Sequence, residues 1–174
     1  MPEIQVRPAT SSDIAVLCAL DAHYVTEAIW RMDPCAPNGA MFREIRLPRS
    51  VPVAYPRSLE ALRDTWLRFD VLLVAVFAGE VLGFCSLYEY SPAMAWMQDL
   101  VVAPSWRRQG IGTALVLAGL HWAETRRCNR LTLEMQPRNI PAIRLAQKLG
   151  FVFAGYHEHF YASQEPALFF THNL

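Results

Sequence analysis

Arginines and glycines crowd into one short stretch, Arg107-Arg108-Gln109-Gly110-Ile111-Gly112-Thr113, between an apolar run ending at Val102 and a helical pattern that starts near Ile111. The chemistry open to such a stretch is anion binding. The first turn of a helix leaves its N–H groups without partners, and the aligned peptide dipoles put about half a positive charge there, so a diphosphate could accept several backbone hydrogen bonds at once. Glycines at 110 and 112 would keep side chains out of that space, and Arg107 or Arg108 could add a charge-assisted bond. Alone the motif is weak evidence, because a glycine-bearing helix start that only packs tightly reads the same way. Sharper phosphate motifs fail: no Gly-Lys-Ser/Thr ending follows, and Leu115 stands where the dinucleotide fingerprint needs a third glycine.

Two other residue sets invite chemistry and are set aside. His157, His159 and Tyr161 share one face of the strand expected there, but no third metal ligand stands at a sensible spacing, so no metal is expected. Cys18, Cys35, Cys85 and Cys128 form no CxxC or zinc-knuckle spacing and read as reduced, mostly core thiols.

The elements that must position the glycine turn follow from periodicity. Glu3 to Pro8 alternates as a strand, and Thr10 to Asp13 offers caps for a helix carrying Ile14, Val16, Leu17, Leu20 and Tyr24. From Arg31 to Arg57 five prolines and five arginines predict a long irregular connection, with at most a short regular piece near 41–46. Trp30, Met32, Phe42, Tyr55 and Trp66 surround it and could line an acceptor pocket or serve as core. Ser58 then opens a helix to about Phe69. Val71 to Phe77 and Val81 to Tyr90 read as a hairpin around Ala78-Gly79-Glu80, and Ala93 to Val102 as a third strand. A helix from Gly110 to about Arg127, a strand from Arg130 to Met135, and a helix capped by Asn139 and ended by Gly150 come next. Strands Phe151 to Tyr161 and Pro166 to Thr171 close the chain. This order predicts one α/β domain over 1–174, a mixed sheet with helices on both faces.

Composition narrows the class. The 174 residues carry 16 basic and 16 acidic side chains, so no long-range field gathers nucleic acid or an anionic membrane surface. Apolar residues are spread in short runs, none long enough to span a bilayer. Met1 to Arg7 lacks a leader-like pattern, and a cytoplasmic location is expected.

The residues around the turn resemble a known family. Asp99-Leu100-Val101-Val102 with Pro104, Arg107, Gly110 and Gly112, then Leu131-Thr132-Leu133-Glu134-Met135, then Asn139 through Gly150-Phe151, follow in order and spacing the pattern of the GCN5-related N-acetyltransferases. Gly155 to Tyr161 and Ala167-Leu168 are similar to the last strands of the branch that acetylates ribosomal-protein N-termini, and Ile4 to Ala9 resembles the family's opening strand. The resemblance implies the GNAT fold, about seven strands with a splayed central pair, and acetyl-CoA as cosubstrate. It implies that backbone groups of Leu100, Val101 and Val102 pair with the pantetheine arm. Gln109, Gly110, Ile111, Gly112 and Thr113 would cradle the pyrophosphate, and Asn139 would touch the pantetheine or its sulfur end.

For the chemistry, Glu134 matches the position that serves as base in the ribosomal-protein branch, and Asp99 is the second carboxylate candidate. Each could equally be an ion-paired or solvated strand residue. Where the family has the tyrosine that protonates the leaving thiolate, this chain has Ala146; Tyr161, Tyr156 or water would have to replace it. The expected activity is acetyl transfer to a primary amine of a small molecule or peptide by direct attack in a ternary complex. A non-catalytic acyl-CoA-binding or sensing domain and a module using the turn for ATP or NAD are the competing readings. A homodimer is left open.

Overall fold

The computed structural model describes residues 4–36 and 39–174. Strand β1 (Gln5–Pro8) leads into helix α1 (Ser11–Cys18), strands β2 (Tyr24–Ala36) and β3 (Gly39–Val53), and a short helix α2 (Leu62–Thr65). Then come β4 (Val71–Phe77), β5 (Glu80–Ser91), β6 (Met94–Val102), α3 (Ile111–Thr125), β7 (Arg130–Met135), α4 (Ile140–Lys148), β8 (Val152–His157) and β9 (Ala167–Asn173). Seven strands form one sheet in the order β1-β4-β5-β6-β7-β9-β8, and β2 with β3 forms a separate ribbon. All neighbours in the large sheet are antiparallel except β6 and β7.

The mixed sheet with helices on both faces is as expected, and β4 shows why its sequence runs apolar without a break. Leu73 and Ala75 join one core cluster with Ile111, Leu115 and Ile143 from α3 and α4. Leu72, Val74 and Val76 join the other, with Ile14 and Leu17 of α1 and Leu59 and Leu62 around α2. Because successive strand side chains point to opposite faces, a strand covered on both sides must be apolar at every position. The hairpin turn also matches, with Ala78 at φ 49° and Gly79 at φ 83°, the backbone that tight two-residue loops demand.

Several expectations fail. The segment 31–57 is not irregular: most of it lies in the ribbon, with pairs such as Trp30↔Glu44, Met32↔Phe42 and Tyr24↔Val53, while Pro37 and Asn38 lie outside the described residues. A two-stranded ribbon has an unpaired outer edge on each strand, so prolines that would break a central strand are tolerated. Pro34 pairs with Ala40 and Pro52 with Val25, while Pro48 sits in the irregular step between the Thr26↔Val51 and Ala28↔Arg46 pairs. Tyr24 begins β2 instead of extending α1, which ends at Cys18. The expected helix from Ser58 to Phe69 is three short pieces, 59–61, 62–65 and 66–68. The strand after Phe151 stops at His157, so His159, at φ 53° in a turn, and Tyr161 are not on a strand face. Among the described residues no cluster of metal-ligating side chains is present.

One close approach holds β6 against β5. A Cβ added at Gly83 would lie 2.4 Å from the Val101 carbonyl oxygen and 3.0 Å from the Val102 Cα, and backbone atoms cannot swing aside as a side chain end can. Gly83→Ala is therefore expected to lower unfolding stability by about 1–3 kcal/mol, as overpacking does. Urea unfolding would show this as a lower midpoint at unchanged slope.

Candidate active site

The parallel pairing of β6 with β7 runs only from Met94↔Arg130 to Met97↔Leu133, although β6 continues to Val102 and β7 to Met135. The cause lies one residue on. Between the Leu87↔Met97 and Ser86↔Asp99 pairs, β6 has one residue more than β5, so Gln98 is a β-bulge. A bulge bends its strand and raises the local twist, and here it turns β6 away from β7. The expected splay is present, and it leaves the β7-facing edge of 98–102 outside the sheet's pairing. Of the residues assigned to that edge, Leu100 lines the resulting cleft, Val101 is buried against the α1 side, and Val102 is partly buried.

The glycine turn closes one end of this edge. Gly110 has φ 89° and begins α3, whose first intrahelical bond runs from Ala114 N–H to the Gly110 carbonyl at 2.9 Å. The N–H groups of Ile111, Gly112 and Thr113 precede that bond and have no helical partner. A Cβ at Gly110 would meet nothing within 4 Å, and one at Gly112 would come within 3.2 Å of Leu145 Cδ2, so the glycines keep this helix start clear. That fits a diphosphate. The neighbouring polar side chains are engaged otherwise. Arg107 Nε donates to the Val102 carbonyl at 2.9 Å and its Nη2 to the Asp21 carbonyl at 3.0 Å, tying the end of β6 to the segment after α1. Gln109 donates to the Ser105 carbonyl at 3.0 Å, and Arg108 is exposed with φ 63°. Asn139 accepts from Ala142 N–H at 3.2 Å as the cap of α4 and also lines the cleft.

Where the strands part, two buried carboxylates approach one guanidinium. Glu134, on β7 just past the last β6 pair, and Asp99, on β6 just past the bulge, have side chains only 2% and 4% exposed. Arg57, from the connection after β3, donates through Nη2 to Glu134 Oε1, lies 3.6 Å from Asp99 through Nη1, and reaches the Gln98 carbonyl at 3.4 Å. Trp96 Nε1 donates to the other Glu134 oxygen at 3.0 Å. Asp99 accepts from the Tyr55 hydroxyl at 2.8 Å and the Ser86 hydroxyl at 2.7 Å. Burial pulls the Glu134 carboxyl above its ordinary value, with Arg57 and the Trp96 indole opposing and Asp99 assisting. Burial also works against the charged form of Arg57, but Glu134 and Asp99 outweigh it and hold the guanidinium above its usual value.

Tyr161 completes the group from the loop between β8 and β9. It is 4% exposed, and the Arg57 guanidinium lies 5.2 Å from its ring centroid. Burial and the nearby Glu134 charge push its hydroxyl well above the ordinary value, so it stays protonated at neutral pH. The loop is held by Phe160 and Tyr161 N–H groups donating to the Glu165 carbonyl, each at 3.1 Å. The Glu165 carboxylate accepts from Gln136 at 2.8 Å, and Gln136 accepts from Tyr24 at 2.9 Å. Tyr156 is not part of this group, being 39% exposed with its ring against Phe42. Ala146 is fully buried in the α3–α4 core.

The fold thus brings Glu134, Asp99 and Tyr161, the candidates read from the sequence, to one place, together with Arg57, Trp96, Ser86 and Gln98, which the sequence did not single out. Of the aromatic and methionine set around 31–57, Tyr55 lines the cleft, whereas Trp30 and Phe42 stack with Phe153 and Trp66 packs on the α1 side. The cleft is lined by Tyr55, Arg57, Gln98, Leu100, Glu134, Asn139, Leu145 and Tyr161. A wider hollow on the α2 side includes Arg57, Leu62, Phe69, Gln98, Asp99, Phe160 and Tyr161.

The chain is 28% identical over 161 residues to the streptothricin acetyltransferase of Streptomyces lavendulae, covering 87% of this chain and 82% of that protein. It is 38% identical over 88 residues to aminoglycoside N(6')-acetyltransferase type 1 of Klebsiella aerogenes, covering 47% of this chain and 58% of that protein, so the match spans little more than half of that relative. A Bacillus anthracis structure described as a streptothricin acetyltransferase, crystallised with acetyl coenzyme A, shares the fold at a TM-score of 0.79 with 19% identity, covering 99% of this chain and 100% of that one. The family model for the acetyltransferase (GNAT) family matches residues 40–151. With that match over more than half of its 174 residues, the chain belongs to the GNAT acetyltransferase family.

Proposed function

We propose that this protein is a single-domain acetyl-CoA-dependent N-acetyltransferase acting on a primary amine. The observation that carries the reading is the pair of buried carboxylates, Asp99 and Glu134, on the two strands that part at the Gln98 bulge. Acetyl-CoA, when bound, supplies an activated acetyl thioester. The open edge of Leu100 to Val102 and the cleared start of α3 are the parts of this chain that would hold its arm and its diphosphate.

An alkyl amine with a pKa near 10 arrives mostly protonated, so it must lose a proton before it can attack. Glu134 takes it: the ammonium becomes a neutral amine and the carboxylate becomes a carboxylic acid. A base whose affinity for protons is raised by burial does this at less cost than a solvated carboxylate. Attack then forms the amide bond and breaks the carbon–sulfur bond, and the second amine proton goes to the departing thiolate. Tyr161, protonated and beside Glu134, is the side chain placed to hand that proton on.

The names of the streptothricin and aminoglycoside relatives favour a small-molecule acceptor over a peptide. The free thiols of Cys18, Cys85 and Cys128 suit a cytoplasmic location. A non-catalytic acyl-CoA sensor has no support from relatives named as acetyltransferases. Thiol release from acetyl-CoA over a panel of primary amines, streptothricin and aminoglycosides included, is expected to give saturable turnover with at least one. Tight coenzyme A binding with no turnover on any amine would sink the enzyme reading.

A further inference from the structure

The cleft at the strand splay and the hollow on the α2 side are separated by a wall. Arg57, Tyr161, Gln98 and Pro56 line both. Glu134 lines the cleft and Asp99 lines the hollow, and the guanidinium of Arg57 lies between the two carboxylates and over the Tyr161 ring. An acceptor entering from the hollow must pass this point to reach a thioester in the cleft. Arg57 belongs to the connection between β3 and α2, not to the sheet, and its side chain is 26% exposed. It can therefore leave without moving a strand.

Charge decides what could take its place. Among the described residues, Arg57 is the one cation in ion-pair contact with Asp99 or Glu134. Removing a cation from buried carboxylates is costly unless another charge replaces it. An acceptor that brings its own positive charge exchanges with the guanidinium, whereas a neutral one leaves two carboxylates unpaired.

We propose that Arg57 is a resident stand-in for the acceptor's ammonium, a displaceable plug that admits cationic acceptors to the thioester and keeps neutral ones out. This rests on the acetyltransferase reading above. The plug makes neutral acceptors at least about 100-fold poorer than cationic ones of equal size, because only the cation keeps the buried carboxylates paired.

Arg57→Ala and Arg57→Gln separate a plug from a part of the machinery, and methylguanidinium serves as the probe for the vacated place. With whichever amine the wild-type enzyme turns over best, the variants are expected to keep kcat within about threefold and to lower KM roughly tenfold, since the acceptor no longer competes with a tethered cation. Acetyl-CoA hydrolysis without an acceptor is expected to rise, and methylguanidinium to compete with the amine. A fall in kcat that methylguanidinium restores would overturn the proposal, because Arg57 would then be needed in the reaction. Binding supplies a readout that does not depend on turnover: calorimetry should show methylguanidinium binding to the Arg57→Ala variant and not to Arg57→Ala with Glu134→Gln. Absence of binding to the single variant would also overturn it. If no amine is turned over by the wild type, the acetyltransferase reading fails, while the calorimetry still tests whether the site takes a cation.

Discussion

Glu134→Gln is expected to lower kcat roughly 100- to 10,000-fold, the range a positioned general base contributes, with a much smaller change in the affinity for acetyl-CoA. Glutamine is nearly isosteric, and its single amide oxygen can accept from Arg57 or from Trp96 but not from both, since they bond to different oxygens of Glu134. The cleft keeps its shape while one hydrogen bond and the proton acceptor are lost. The pH profile gives the sharper reading. A base works only when deprotonated, so activity rises with pH as Glu134 loses its proton. Burial raises the carboxyl above its ordinary 4.5, which moves this acid limb to higher pH than a solvated glutamate would show. In the variant that limb should disappear, leaving a low rate governed by the protonation of the free amine. A kcat within about threefold of wild type with the limb intact would remove Glu134 as the base and transfer attention to Asp99, which has the same burial but more donors already on its oxygens.

Gly112→Trp is expected to weaken acetyl-CoA binding at least about 100-fold in calorimetry, because a diphosphate seated on unpaired helix-start N–H groups needs close backbone approach. The first atom of the new side chain would already stand 3.2 Å from Leu145 Cδ2 and 3.9 Å from Val102 Cγ2. Leu145 can yield a few tenths of an ångström, so the Cβ itself is tolerated; the indole beyond it must find room beside Leu145 and Val102 at the helix start. Tryptophan is a better helix former than glycine, which offsets part of the cost of packing it beside Leu145. Circular dichroism should therefore still show the native fold, and affinity is compared at a temperature well below the thermal midpoint of the variant. Unchanged affinity would mean that the diphosphate sits elsewhere and that the glycines serve packing alone.

The two variants probe parts of the site that were not equally legible. The glycine turn proposed to hold the diphosphate could be read from a dozen consecutive residues because everything that shapes it is local: a strand end, a left-handed glycine, a helix start. Glu134 and Asp99 were legible as carboxylates flanking that motif, but their burial was not, since burial depends on Trp96, Tyr55 and Arg57 arriving from other elements. Arg57 was hidden inside a proline-rich stretch read as irregular. The ribbon that the stretch forms escaped notice because proline counts against strands in general, while an isolated two-stranded ribbon offers unpaired edges that accept it. Alternation along the sequence puts Tyr161 on a strand, but the strand ends at His157 and Tyr161 reaches the site from a loop pinned by Glu165.

By itself the amino-acid sequence determined the order of most elements, the helix caps at Thr10 and Asn139, the Gly150 terminator and the glycine-flanked start of α3, because each depends on residues within a turn or two of one another. The tertiary structure alone decided where β6 leaves β7, which carboxylates lose their water, and that a guanidinium 77 residues from Glu134 in the chain lies on it. Those features come from a one-residue excess between paired strands and from desolvation by distant segments, and neither exists until the sheet has closed around them.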